Sequence, residues 1–108
     1  LPVLVEGQII QWPFRIGQSI NVFIEGLSFK PVRVGLSTGD QIVFINRDPT
    51  AHTISIPDLN IDQRVRAAAN AQTPTKIALN FNTPGAFTYH CGIHSTMTGN
   101  ITVVGSPS

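Results

Sequence analysis

The sequence predicts an all-β fold, a Greek-key antiparallel β-sandwich of about seven to eight strands with at most one short helix. Three observations carry that expectation. Short runs rich in β-branched and aromatic residues alternate with polar ones, as in "INVFIEG" and "QIVFIN". Gly, Pro, Asn and Asp cut these runs about every ten residues, the spacing of sandwich strands, with turns at "TGD" (38–40), "RDPT" (47–50) and "TPGA" (83–86). A parallel sheet would need helical crossovers, and the sequence has room for one helix at most.

The elements follow in chain order. Residues 1–19 are apolar with two prolines, Pro2 and Pro13, and read as an edge strand or wrapped arm; Trp12 and Phe14 there are expected to cover an edge of the sandwich. The core sandwich spans 20–104 within a single domain, 1–108. Its strands are "INVFIEG" (20–26), "PVRVG" (31–35), "QIVFIN" (41–46), "HTISI" (52–56), "TKIALNF" (75–81), "AFTYHC" (86–91) and "NITVV" (100–104). The single helix candidate is "DQRVRAAANAQ" (62–72), with Asp62 as its cap and Pro74 closing it.

Length and composition narrow the function. The chain has 108 residues, enough for one core but not two. Charged residues make up 12% and hydrophobic residues 42%, a globular balance rather than a disordered one. The net charge of +1 is spread singly, without a basic stripe for nucleic acid or a polybasic patch for anionic lipid. No apolar run approaches the length of a membrane span. The chain opens on Leu1 rather than Met, so a leader, an anchor or a larger chain is expected to have preceded it. A single cysteine, Cys91, excludes an internal disulfide framework and a four-cysteine zinc site.

That cysteine sits in an unusual neighbourhood. The stretch "FTYHCGIHSTMTGNITVV" (87–104) holds the only cysteine, the only methionine and two of the three histidines. Alternation along 86–91 puts Phe87, Tyr89 and Cys91 on one face, with Thr88 and His90 on the other. The chain then turns through Gly92 and Ile93 to His94, and Met97 follows, giving the spacing Cys-x2-His-x2-Met. His52 opens a strand far upstream, and the clustering of loops at one end of a Greek-key sandwich offers a way to bring it close. A thiolate, two imidazoles and a thioether match the His2Cys set with a weak axial Met of blue-copper sites. Zinc favours sulfur and nitrogen ligands without a thioether, and the loop has no carboxylate for a hard cation. His90 is expected to be structural or exposed, and Asn46 to fasten the turn before His52.

On these residues the sequence resembles the cupredoxins, small type 1 copper proteins. It is most similar to the amicyanins, which share the loop spacing; plastocyanins and pseudoazurins have longer spacers before the methionine. The likeness covers roughly residues 20–104, through "FKPVRV", "GDQIVFINRD", "AHT" and "FTYHC". It implies His52, Cys91 and His94 as equatorial ligands and Met97 as the axial ligand of one copper ion cycling between Cu(I) and Cu(II). It implies electron transfer rather than enzymatic turnover, and an extracytoplasmic setting such as a periplasm. Redox partner proteins would dock near the exposed edge of His94, ringed by Ile93, Pro49 and the Met97–Thr98–Gly99 turn. The near-neutral surface points to mainly apolar docking of a monomer.

Two departures from the family pattern carry expectations of their own. Thr53 stands where many members have Asn; its N–H can still reach the cysteine sulfur, and its hydroxyl could replace the amide as a brace of the ligand loop. Ile93 stands where many have Pro, which adds an N–H expected to reach the Cys91 sulfur and raise the reduction potential. The same ligands would also serve copper carriage or storage. A cysteine-nucleophile enzyme built on Cys91 and His94 lacks a third orienting group and leaves Met97 unexplained. A binuclear copper centre would need two bridging cysteines.

Overall fold

The computed structural model describes residues 18–70, 72–94 and 96–105, with the backbone of Leu4–Val5 (β1) and Gln8–Ile9 (β2), which pair as a small antiparallel ladder. The rest of the expected arm, Trp12 and Phe14 included, lies outside the described residues. Nine further strands form two sheets. One holds β3 (Ser19–Ile24), β4 (Phe29–Lys30), β6 (Asp40–Asn46) and β9 (Thr75–Phe81) in the order β4-β3-β6-β9. The other holds β5 (Arg33–Ser37), β7 (His52–Ile56), β8 (Ile61–Val65), β10 (Gly85–His90) and β11 (Thr98–Val104) in the order β5-β11-β10-β7-β8.

Period-two burial from both sheets builds the core. Val22 and Ile24 from β3 and Ile42 and Phe44 from β6 meet Ile54 and Ile56 from β7, Phe87 and Tyr89 from β10, and Ile101 and Val103 from β11. Burying each of the larger apolar side chains stabilises the fold by about 1.5–3 kcal/mol. Across the middle, Tyr89 meets Phe29 with ring centroids 4.7 Å apart and Phe44 at 5.7 Å, tying one sheet to the other. As expected, Phe87, Tyr89 and Cys91 point inward, while Thr88 is exposed and His90 half-buried.

Three features differ from the sequence expectation. Each sheet contains one parallel pair, β3 with β6 and β5 with β11, within otherwise antiparallel pairing. No helical crossover is needed, because the connection from β3 to β6 runs through β5 of the opposite sheet. Phe29–Lys30 forms a strand of its own after a tight turn at Glu25–Ser28.

The helix expected over 62–72 does not form: Ile61–Val65 is an edge strand paired with β7, and 66–68 continue without regular structure. Four alanines favour a helix, but among the described residues of the segment only Val65 and Ala68 bury an apolar side chain, too little to dock one. Pairing with β7 satisfies a row of backbone groups instead. The Arg66 carbonyl accepts from Asn46 Nδ2 and from the Thr75 hydroxyl, and the Ala68 N–H donates to the Asp48 carbonyl. The only helical element among the described residues is a 3-10 turn at Pro57–Leu59, and none of them forms a helix long and apolar enough to cross a membrane.

Candidate metal centre

The hairpin of β10 and β11 presents residues 91–97 at one end of the sandwich, closed by His90 pairing with Thr98. Backbone bonds shape the loop: the Cys91 N–H donates to the Met97 carbonyl at 3.0 Å, and the Met97 N–H to the His94 carbonyl at 3.0 Å. β7 runs antiparallel beside β10 with His90 opposite Ser55, so the start of β7 meets the start of this loop. His52 is thereby delivered to Cys91 across 39 positions of sequence.

The resulting geometry is tight. Cys91 Sγ lies 3.6 Å from His52 Nδ1 and 3.8 Å from His94 Nδ1, and the three donor atoms lie within 4.8 Å of one another. Metal–sulfur and metal–nitrogen bonds of roughly 2.3 and 2.1 Å, meeting at trigonal to tetrahedral angles, place such atoms about 3.6–3.8 Å apart. The two sulfur–nitrogen separations therefore fit an ion shared with either histidine. Cys91 and His52 are fully buried and Met97 is 1% exposed, while His94 is half-buried beside an exposed Ile93. The two imidazoles face each other with centroids 5.0 Å apart. The sequence thus named residues that the fold brings together: His52, Cys91 and His94 converge, and Met97 is buried at the end of the same loop.

The sulfur is surrounded by donors. The Thr53 N–H and the His94 N–H each reach Sγ at 3.4 Å. Burial alone would raise the thiol's pKa, but hydrogen bonds to the sulfur, led by these two amides, outweigh it and lower it to about 6. The donor expected from Ile93 is instead that of His94. The chain turns at Gly92 so that the amide three residues after the cysteine points back to sulfur, and a potential set by Ile93 has no sulfur contact to act through. The expectation for Thr53 is met. Its hydroxyl accepts from the Gly92 N–H at 2.6 Å, bracing the loop where an asparagine amide would.

Around the first histidine, Asn46 fastens the turn as expected. Its Nδ2 donates to the Thr50 and Arg66 carbonyls at 3.0 and 2.9 Å, and its Oδ1 accepts from the Asp48 N–H at 2.9 Å. Sequence reasoning missed Asp48 itself, whose buried carboxylate lies 2.9 Å from His52 Nε2. Burial would raise its pKa, yet hydrogen bonds from Gly26, His52 and Leu27 hold it below the ordinary carboxylate value. The available signal was its position four residues before His52, but an Asp before Pro reads first as a turn former.

Comparison with known proteins accords with this geometry. A family model described as a cupredoxin-like domain matches residues 15–103. No curated protein sequence matches the chain. Among solved structures, amicyanin from Paracoccus versutus (Thiobacillus versutus) is 21% identical, covering 79% of this chain and 80% of its own, with a TM-score of 0.64. A Cu(I) structure of a methionine-to-alanine variant of amicyanin is 20% identical over 79% of this chain and 81% of its own, also at 0.64. At these identities the likeness is one of fold.

Proposed function

The chain belongs to the cupredoxin-like domain family, and from that premise we propose that it carries single electrons on one copper ion held by His52, Cys91, His94 and Met97. The observation that carries the proposal is the convergence of a thiolate-prone cysteine and two imidazole nitrogens within 4.8 Å in a largely buried pocket. When bound, copper supplies the one-electron Cu(II)/Cu(I) couple, and this donor set suits both states.

The protein's own contribution is to hold the donors still. The Thr53 and His94 amides stabilise the thiolate, and the ladders of β7, β10 and β11 set the separations without help from a metal. The half-buried His94, next in sequence to the exposed Ile93, offers the short path for an electron from a docked partner. Transient redox encounters use small interfaces. In this reading the protein is a carrier rather than an enzyme, working outside the cytoplasm, as in a periplasm, with partner proteins supplying and removing the electron.

The test is the visible spectrum of the Cu(II)-loaded protein before and after ascorbate. An intense thiolate-to-copper band that bleaches on reduction and returns in air is expected. A weakly coloured protein with stoichiometric copper would overturn electron transfer and turn attention to copper carriage by the same ligands.

A further inference from the structure

Asp48 is only 7% exposed, and a buried carboxylate persists where its oxygens are paired. Its partners come from two places. Oδ1 accepts from the Gly26 N–H at 2.9 Å; Oδ2 accepts from the Leu27 N–H at 3.2 Å and lies 2.9 Å from His52 Nε2. Gly26 and Leu27 are the central residues of the Glu25–Ser28 turn and are both left-handed, at φ 63° and 60°. Successive amides in such a turn form a concavity for an anion. The β3–β4 turn therefore seats the carboxylate independently of the histidine. With an acceptor on Nε2, the ring proton belongs there, leaving the Nδ1 lone pair facing Cys91 Sγ at 3.6 Å.

We infer that Asp48 is a positioning residue that, acting through His52, fixes the Nδ1-ligating tautomer and biases the copper site toward its oxidised state. The inference rests on the copper reading above. A carboxylate hydrogen-bonded to a ligand imidazole makes the ring a stronger donor. The stronger donor, with a buried negative charge behind it, favours Cu(II) over Cu(I). The two histidines are thus unequal. Among the described residues, His94 has no carboxylate partner, and its ring meets the Cys91 sulfur and the His52 ring.

Two measurements test this. In the metal-free wild-type protein, 15N NMR of the His52 ring should show the proton on Nε2; a proton on Nδ1 overturns the inference and requires no variant to fold. In the copper-loaded protein, Asp48→Asn should weaken Cu(II) binding by about 10–100-fold and Cu(I) binding less. Each tenfold difference raises the one-electron potential by about 59 mV. A variant of lower thermal stability but unchanged potential would make Asp48 a mere brace of the turn and overturn the inference. A wild-type protein that never turns blue removes the copper reading itself, whereas a blue wild type with an insensitive Asp48→Asn potential removes this inference alone.

Discussion

Replacing Gly99 with alanine tests how closely the core is fitted behind the cysteine. Gly99 in β11 lies directly opposite Tyr89 in β10. A Cβ on Gly99 would stand 2.4 Å from Tyr89 Cζ, 2.5 Å from Cε1 and 2.6 Å from Oη. Carbon–carbon contact needs about 3.5 Å, so the ring must retreat by roughly 1 Å. Phe29 and Phe44 wall it in, at 4.7 and 5.7 Å between centroids, and the ring is fully buried.

Overpacking of this kind costs about 1–3 kcal/mol, and an enclosed ring places Gly99→Ala in the upper half. At about 4–8 °C per kcal/mol for a domain near this size, the melting temperature should fall by roughly 10–20 °C. Thermal unfolding of the metal-free protein, followed by circular dichroism, reads it directly. In a Tyr89→Leu background the same alanine should cost much less, and the difference is the coupling between the two positions. A Gly99→Ala protein melting within about 2 °C of wild type, a change under roughly 0.5 kcal/mol, would refute the packing argument.

Three further outcomes are expected. In the metal-free protein the Cys91 thiol should titrate with a midpoint near pH 6, read from thiolate absorbance at 240 nm. Its folded pKa lies below the ordinary value of 9.0, so its stabilising contribution is complete above pH 9 and is lost as pH falls through 6. A midpoint near 9 would mean that the Thr53 and His94 amides do not reach the sulfur. Asn46→Leu keeps the volume but strips partners from the Thr50 carbonyl and the Asp48 N–H, while the Arg66 carbonyl keeps the Thr75 hydroxyl. At about 1–3 kcal/mol per buried unpaired group the two together should cost roughly 2 kcal/mol or more in urea unfolding, and a loss under 1 kcal/mol would count against the network. Leu27→Asn should raise the melting temperature by a few degrees, since Leu in the left-handed region costs about 1–2 kcal/mol and Asn tolerates it; a drop would show that the half-exposed Leu27 side chain packs usefully.

Much of the fold and site was legible because two local signals agreed. Alternation over 86–91 set the inward face of Cys91, and the Cys-x2-His-x2-Met spacing put His94 and Met97 on the loop that the β10–β11 hairpin closes. What escaped was set by distant partners. The alanines at 67–69 favour a helix locally, and only the open edge of β7 and the fixed carbonyl of Arg66 make the extended course preferable. Asp48 looked like a turn residue because its ligands, the Gly26 and Leu27 amides, lie 22 and 21 positions away. The sulfur's second donor was misplaced by one residue because the turn at Gly92, rather than the side-chain identity at 93, decides which amide points back.

The donor atoms come from two bodies of the fold that share few direct bonds. His52 belongs to β7, locked laterally by its ladder with β8 and from behind by Asp48. Cys91 and His94 belong to the β10–β11 hairpin, and the register between β10 and β7 has a single matched pair, His90 with Ser55. Close to the site, Thr53 spans the gap twice. Its amide holds the cysteine sulfur, and its hydroxyl holds the Gly92 amide one residue further along the loop. A two-point contact fixes orientation as well as distance, so the hairpin can neither slide along β7 nor hinge away from it without breaking a bond. Both bonds are formed by the protein alone, so the ordering cost of the cage is met during folding. A change of one unit of charge at the metal then meets donors already in place, which is the condition for rapid electron exchange in either direction.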